Sequence, residues 1–301
     1  VYFYGFFGGE SSQWEPQLIR GVTPVEPTKR PEQGYNLNVD LVDDAIGWIN
    51  RQGSVSPDKP YFVYMAPGAV HAPLHVNQEW IDKFQGQFNQ GWDTWREEVF
   101  ARQMASGLLP EGTILSERPT WVPAWSSLSD DEKRLYTRLM EAFAGFLTHT
   151  DSEVGRLLDF IKSIDEYDNT LVLIMSDNGA SAEGGPGGSF NEKYFYNFVP
   201  ESLAENLKRI DLIGSEHSNN HYPWGWAWAG NTPLKRFKRD THEGGVCDPL
   251  IMQWPSHLKN VGGIRRQYLH IVDVLPTLLD VIGIEAPEQI NGVPQAPFNG
   301  V

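Results

Sequence analysis

Apolar residues recur at helical spacing in four stretches of the chain, and short unbroken apolar runs mark three more as strands. Over Asn38–Asn50, Leu41, Val42, Ala45, Ile46 and Ile49 share one face. Asp40, Asp43 and Asp44 sit near the start, where the helix dipole favours negative charge, so an amphipathic helix is expected. Ser129–Thr148 carries Leu135, Leu139, Phe143 and Phe146 on one stripe, behind the start signal Ser129-Asp130-Asp131-Glu132. A further helix is read over Ser152–Ile164. Another is read over Asp273–Ile282, with Gly283 as its stop and Pro287 just beyond. The runs Tyr61–Met65 and Leu171–Met175 read as strands, the second as a buried parallel one. Pro249–Pro255 reads as an edge strand, because prolines bracket it. The first 35 residues show no steady period and read as irregular. Residues 76–128, with several Trp, read as short helices and loops decorating the core. Ala180–Gly230 is rich in Gly, Asn, Pro and aromatics, and a stretch of that length without clear structure is usually functional or disordered. Helix followed by buried strand is the rhythm of an α/β fold.

Composition narrows the partners. The 301 residues carry a formal net charge of −15, which argues against nonspecific binding to nucleic acid and against an anionic membrane surface. No apolar run approaches the length that spans a bilayer, so no transmembrane helix is expected. The single Cys247 excludes an internal disulfide framework and a multi-cysteine metal site. The chain opens at Val1 inside an aromatic stretch, without an initiator Met or a leader, so it reads as part of a longer protein. That start leaves the compartment open between cytoplasmic and periplasmic or secreted.

Three places carry candidate chemistry. Asp177 and Asn178 follow the Leu171–Met175 run, and ligands of open α/β sheets bind outside the carboxyl ends of strands. A carboxylate beside an amide oxygen suits Ca²⁺ or Mg²⁺, although Asp-Asn-Gly also makes a plain turn. Four of the five residues Lys235–Arg239 are basic, followed by Glu243-Gly244-Gly245. They read as an anion site or, alternatively, as a solvated basic turn. His71, placed after a strand run, suits proton transfer near neutral pH, and a lone histidine is also commonly structural. Trp224, Trp226 and Trp228 read either as a wall for an aromatic or sugar substrate or as core.

Three segments occur in order near expected strand ends. They are Met65-Ala-Pro-Gly-Ala-Val-His71-Ala-Pro, Ser176-Asp-Asn-Gly-Ala-Ser-Ala-Glu-Gly-Gly185 and Lys238-x-x-Thr-x-Glu-Gly-Gly245. Together they resemble the type I, formylglycine-dependent sulfatases of the alkaline phosphatase superfamily, and the bacterial arylsulfatase branch in particular. That branch is also similar at Tyr4–Glu10, Glu141–Phe146 and Gln267–Thr277. The resemblance implies an alkaline-phosphatase-like sandwich, a central mostly parallel sheet flanked by helices, present as an incomplete domain. It implies that Asp177 and Asn178 ligate a metal, Ca²⁺ or possibly Mg²⁺. Lys238 would bind a sulfate oxygen, and His71 would touch the sulfate and protonate the leaving oxygen. The substrate would be a small-molecule sulfate ester, and a formylglycine-generating maturation enzyme would act on the full-length protein.

The family's Cys/Ser-x-Pro-x-Arg nucleophile pattern does not occur in these residues. Cys247-Asp248-Pro249 begins it, but Ile251 stands where arginine is needed, so Cys247 is expected to be a small buried hydrophobe. Residues 1–301 are therefore expected to be one catalytic domain truncated at its N-terminus and lacking the C-terminal subdomain, inactive alone. A phosphonate monoester or phosphodiester hydrolase of the same superfamily, a degenerate homologue and a noncatalytic glycan-binding module remain as alternatives.

Overall fold

The computed structural model describes residues 1–300, in two units, Val1–Lys259 and Asn260–Val301. The first 35 residues are more ordered than their sequence suggests. β1 (Tyr4–Gly5), β2 (Leu18–Arg20) and β3 (Thr23–Val25) form an antiparallel sheet in that order. The aromatic positions explain it. Tyr4 and Tyr35 both donate their hydroxyls to the Asp40 carboxylate, at 2.6 and 2.9 Å, while Leu18, Tyr35, Leu37 and Leu41 close a small core.

Asp40 lies in α1 (Leu37–Val55), whose N-cap Asn36 accepts from the Asn38 and Val39 amides. α2 (Gln78–Asp82) and α3 (Gly91–Ala105) lead to α4 (Asp130–Ser163), one helix of 34 residues where the sequence suggested two. Ser129 and Glu132 form its capping box as expected. The helix continues through the expected break, where Thr148 and Thr150 donate to the carbonyls of Ala144 and Phe146 inside it. Thr150 also accepts from the Asn38 amide of α1 at 3.0 Å, which ties the two helices together.

Residues 76–128 form helices and loops, as expected, and they also supply core: Ile81, Phe88, Trp92, Val122 and Trp125 are buried, while no residue from 97 to 121 is. Trp92 of α3 is fully buried and packs edge-on against Trp125 (4.7 Å between centroids) and Trp226 (5.9 Å). Trp226 lies in the helix Trp224–Gly230, so this aromatic cluster joins chain segments more than a hundred residues apart.

The expected strand at 171–175 is present as β4 (Val172–Met175), but it is neither parallel nor buried. It pairs antiparallel with β5 (Leu250–Gln253), Val172 opposite Gln253 and Met175 opposite Leu250. Ile174 and Met175 are exposed, and so is all of β5. Every ladder among the described residues is antiparallel. The run Tyr61–Met65 alternates, with Phe62 and Tyr64 outward, yet joins no ladder among the described residues. An unbroken apolar run signals a strand that can be covered on both faces; it does not identify the covering elements.

Between β4 and β5 lie four short helices, α5 (Glu192–Tyr196), α6 (Leu203–Lys208), α7 (Trp224–Gly230) and α8 (Glu243–Val246). In the second unit α9 (Val274–Ile282) ends at Gly283 in the left-handed conformation, φ 71°, as its sequence foretold. A hairpin of β6 (Gln289–Ile290) and β7 (Val293–Pro294) turns through Asn291-Gly292, both at positive φ.

Candidate active site

Three loops converge on one point. The first follows the extended segment 61–65 and carries His71, whose amide donates to the Gly68 carbonyl at 2.9 Å. The second leaves β4 and carries Asp177, Asn178 and, further on, Glu183. The third, residues 231–245, carries Lys238. Lys238 Nζ lies 2.7 Å from His71 Nε2 and 3.0 Å from Glu183 Oε2, and His71 Nε2 lies 3.1 Å from that same Glu183 oxygen. His71 and Lys238 are thus brought together as a pair, and both are held by a carboxylate to which sequence reasoning gave no role.

Glu183 is densely supported. Ser181 Oγ donates to it at 2.9 Å, and the Tyr196 hydroxyl of α5 also bonds to it. The Trp224 indole donates to the Ala182 carbonyl at 2.8 Å, fixing the backbone beside it. Hydrogen bonds from His71, Lys238 and Tyr196 hold the Glu183 carboxyl well below the usual carboxylate range, His71 contributing most. The Glu183 hydrogen bond in turn raises the His71 imidazole above its ordinary value, against the opposing effects of burial and of Lys238.

Two neighbours are neutral. His221, fully buried, is pushed down to about 4 by desolvation. Glu192, 1% exposed, is pushed up by burial and by Glu10, so its carboxyl is protonated at neutral pH.

The loops bearing Asp177–Asn178 and Lys238 are stitched together through backbone. Lys238 N–H donates to the Ala180 carbonyl (3.0 Å), Ala180 N–H donates to Asn231 Oδ1 (3.0 Å), and Asn231 Nδ2 donates to the carbonyls of Gly244 (2.7 Å) and Arg236 (2.9 Å). This accounts for the glycines in both motifs. A Cβ on Gly179 would lie 1.8 Å from the Gly244 carbonyl oxygen, and one on Gly244 would lie 2.3 Å from the carbonyls of Lys235 and Arg236.

Arg96 of α3 anchors the third loop from beneath. Buried at 1% exposure, it donates to the carbonyls of Trp228, Pro233 and Leu234 and to the hydroxyls of Thr232 and Ser116.

The basic run does not act as one patch. Lys238 turns inward to Glu183, whereas Arg236 lies over the Trp121 ring (5.2 Å) and within 3.5 Å of Asp240. Trp226 and Trp228 are buried, so they are core and not a substrate wall. Cys247 is exposed, which corrects the expectation of a buried thiol: it follows the buried diglycine and leads into β5, which is exposed along its length.

Asp177 is exposed and Asn178 half-buried at the end of β4. Burial, together with the Asp177 charge, raises the nearby Asp248 carboxyl. Two carboxylates that repel one another beside an amide oxygen fit a hard cation as part of its ligand set. Among the described residues no group of three or more His, Cys, Asp or Glu forms a complete metal cage. No helix among them is long and apolar enough to cross a membrane.

A sulfatase family model matches residues 1–284, nearly the whole chain. The chain belongs to the sulfatase family. Its curated relatives include an arylsulfatase of Klebsiella aerogenes, 25% identical over 309 residues covering 99% of this chain and 63% of the relative. They also include an uncharacterized sulfatase of Schizosaccharomyces pombe, 33% identical over 239 residues covering 79% of this chain and 41% of the relative. The sulfatase chain thus spans less than two thirds of the length of these relatives. The crystal structure of Ps i-CgsB in complex with k-i-k-neocarrahexaose superposes with a TM-score of 0.53 at 19% identity, over 95% of this chain and 46% of that one. Family and superposition together give the sulfatase an alkaline-phosphatase-like α/β fold.

Proposed function

We propose that this sulfatase contributes the sulfate-binding and proton-donating half of a sulfate ester hydrolase, acting on aryl sulfates. The observation that carries the reading is the meeting of His71 and Lys238 at 2.7 Å beside the stitched Asp177–Asn178 turn. Sulfate ester cleavage needs positive charge on the sulfuryl oxygens and an acid at the departing oxygen. Lys238 Nζ supplies the charge and orients one sulfuryl oxygen. His71, through Nε2, gives its proton to the phenolic oxygen as the S–O bond breaks. Asp177 and Asn178 would hold a divalent cation, Ca²⁺ or Mg²⁺, which adds positive charge to the same oxygens when bound. The formylglycine precursor pattern occurs nowhere in the 301 residues, so the attacking group is assigned to the remainder of a longer protein, matured by its own formylglycine-generating enzyme.

The test is turnover of 4-nitrophenyl sulfate by the protein encoded by the complete reading frame. Lys238→Ala and Asp177→Ala are each expected to lower kcat/KM by two orders of magnitude or more, roughly the size found for loss of one charge-stabilising group. Turnover unchanged in Lys238→Ala would remove the assignment of sulfate contact. Turnover of phosphonate or phosphodiester analogues in place of aryl sulfate would reassign the substrate within the same geometry.

A further inference from the structure

His71 can place a proton on Nε2 only at the expense of one of its contacts. Its Nδ1–H donates to the Ala72 carbonyl at 2.9 Å, so Nε2 is the nitrogen whose state can change. In the neutral ring Nε2 accepts from the Lys238 ammonium at 2.7 Å. In the cationic ring Nε2–H can only donate. The Glu183 oxygen at 3.1 Å is then the acceptor, and the same oxygen holds Lys238 at 3.0 Å. With His71 neutral, the charges of Lys238 and Glu183 cancel. With His71 protonated, the three side chains carry one net positive charge.

We propose that Glu183 is a positioning residue that couples oxyanion binding to proton uptake at His71, so that an arriving sulfuryl group itself loads the acid. The proposal rests on the functional reading above for its catalytic meaning. The coupling can be measured without turnover. An anion that brings negative charge to Lys238 favours the cationic imidazole, and Glu183 keeps the Nε2–H aimed at the same point until the anion arrives.

Other groups near the triad do not replace Glu183. His221 is buried and neutral, Glu192 shares its surroundings with Glu10 and is protonated, and the Tyr196 and Ser181 hydroxyls donate to Glu183 itself. Lys238 opposes protonation of His71, and Arg239 stands near Tyr196.

The experiment is an NMR titration of the His71 ring in the 301-residue chain, its resonance assigned by loss in His71→Asn, with and without inorganic sulfate. In the wild-type chain sulfate should move the His71 titration to higher pH. In Glu183→Gln the sulfate-free titration should fall by roughly one unit or more, the usual size for removal of an adjacent opposite charge. Glu183→Asp should restore part of it. Lys238→Met removes the opposing cation and should move the titration up, which keeps the test decisive if Glu183→Gln does not fold. His71 titrating alike in wild type, Glu183→Gln and Lys238→Met, or failing to respond to sulfate, overturns the coupling. In the complete protein the basic limb of kcat/KM for 4-nitrophenyl sulfate should move to lower pH in Glu183→Gln by the same interval; a loss equal at every pH would make Glu183 merely structural. A shift in the NMR titration alongside absent sulfatase turnover would sink the substrate assignment while leaving the coupling in place.

Discussion

Replacing Arg96 by Met should cost the fold about 3–4 kcal/mol, and most of that loss comes from what the guanidinium leaves behind. Arg96 reaches five acceptors, at 2.7 to 3.2 Å, and its planar head lies over the Trp228 ring at 4.4 Å. Not all five are orphaned in the variant. Thr232 Oγ1 still donates to the Ala229 carbonyl, and Ser116 Oγ still donates to the Pro233 carbonyl. The carbonyls of Trp228 and Leu234 lose their Arg96 partner, and each such group costs about 1–3 kcal/mol when buried. Against this stands the relief of desolvating a cation. Burial lowers Arg96 to about 10, and its Nε–H has no acceptor. The two opposing contributions put the net near the middle of the range, and Met fills most of the vacated volume.

Equilibrium urea unfolding followed by tryptophan fluorescence measures the loss, with an unchanged m-value as the sign that only stability moved. Arg96→Lys should be nearly as damaging, because an ammonium cannot reach carbonyls spread across Trp228 to Leu234. Hydrogen exchange should show the amides of residues 231–238 opening first, since Arg96 holds the loop that presents Lys238. A loss below about 1 kcal/mol in Arg96→Met would refute the reasoning, and would mean the loop is held by Asn231 and the glycine contacts alone.

Three further outcomes follow from particular contacts. Gly179→Ala places a methyl 1.8 Å from the Gly244 carbonyl oxygen and should cost at least about 1–3 kcal/mol by overpacking; a melting temperature within a degree of wild type would refute the close approach. His75 and His221 are both pushed down to about 4 by burial. Their stabilising contribution is therefore full above the free-histidine value and drains away as pH falls from about 6.5 toward 4, by up to about 3 kcal/mol each; urea midpoints flat across that window would contradict it. Glu192 is held protonated, so its contribution is present at acid pH and is lost as pH rises; Glu192→Gln should gain on the wild type in melting temperature from pH 5 to pH 9, and a constant difference would remove the assignment.

What the sequence made legible was whatever is encoded locally. The Ser129–Glu132 capping box, the Gly283 stop and the Asp-Asn-Gly turn at a strand end each need only a few neighbouring residues, and all are found where they were read. The two helices expected on either side of 149–151 are one: α4 runs through, with the Thr148 and Thr150 hydroxyls bonding back inside it, and no local residue signals that continuity. Residue type alone makes Cys247 a buried thiol, yet burial is set by what covers a position, and Cys247 is exposed.

The site divides along the same line. His71, Asp177, Asn178 and Lys238 stood out through motif order, but the group that joins His71 to Lys238 did not. Glu183 stands inside the Ser176–Gly185 segment, where nothing local gives it a role. Its meaning appears only when Lys238, 55 residues on, folds back to within 3.0 Å. Three-dimensional closure also explains a glycine in each of two separate motifs. A Cβ on Gly179 would meet the Gly244 carbonyl oxygen and part the loop that bears Asp177 from the loop that bears Lys238, whereas one on Gly244 would meet the Lys235 and Arg236 carbonyls inside its own loop. The motifs are therefore two sides of one backbone contact, and a second-site change restoring stability to Gly179→Ala is to be sought in residues 231–245.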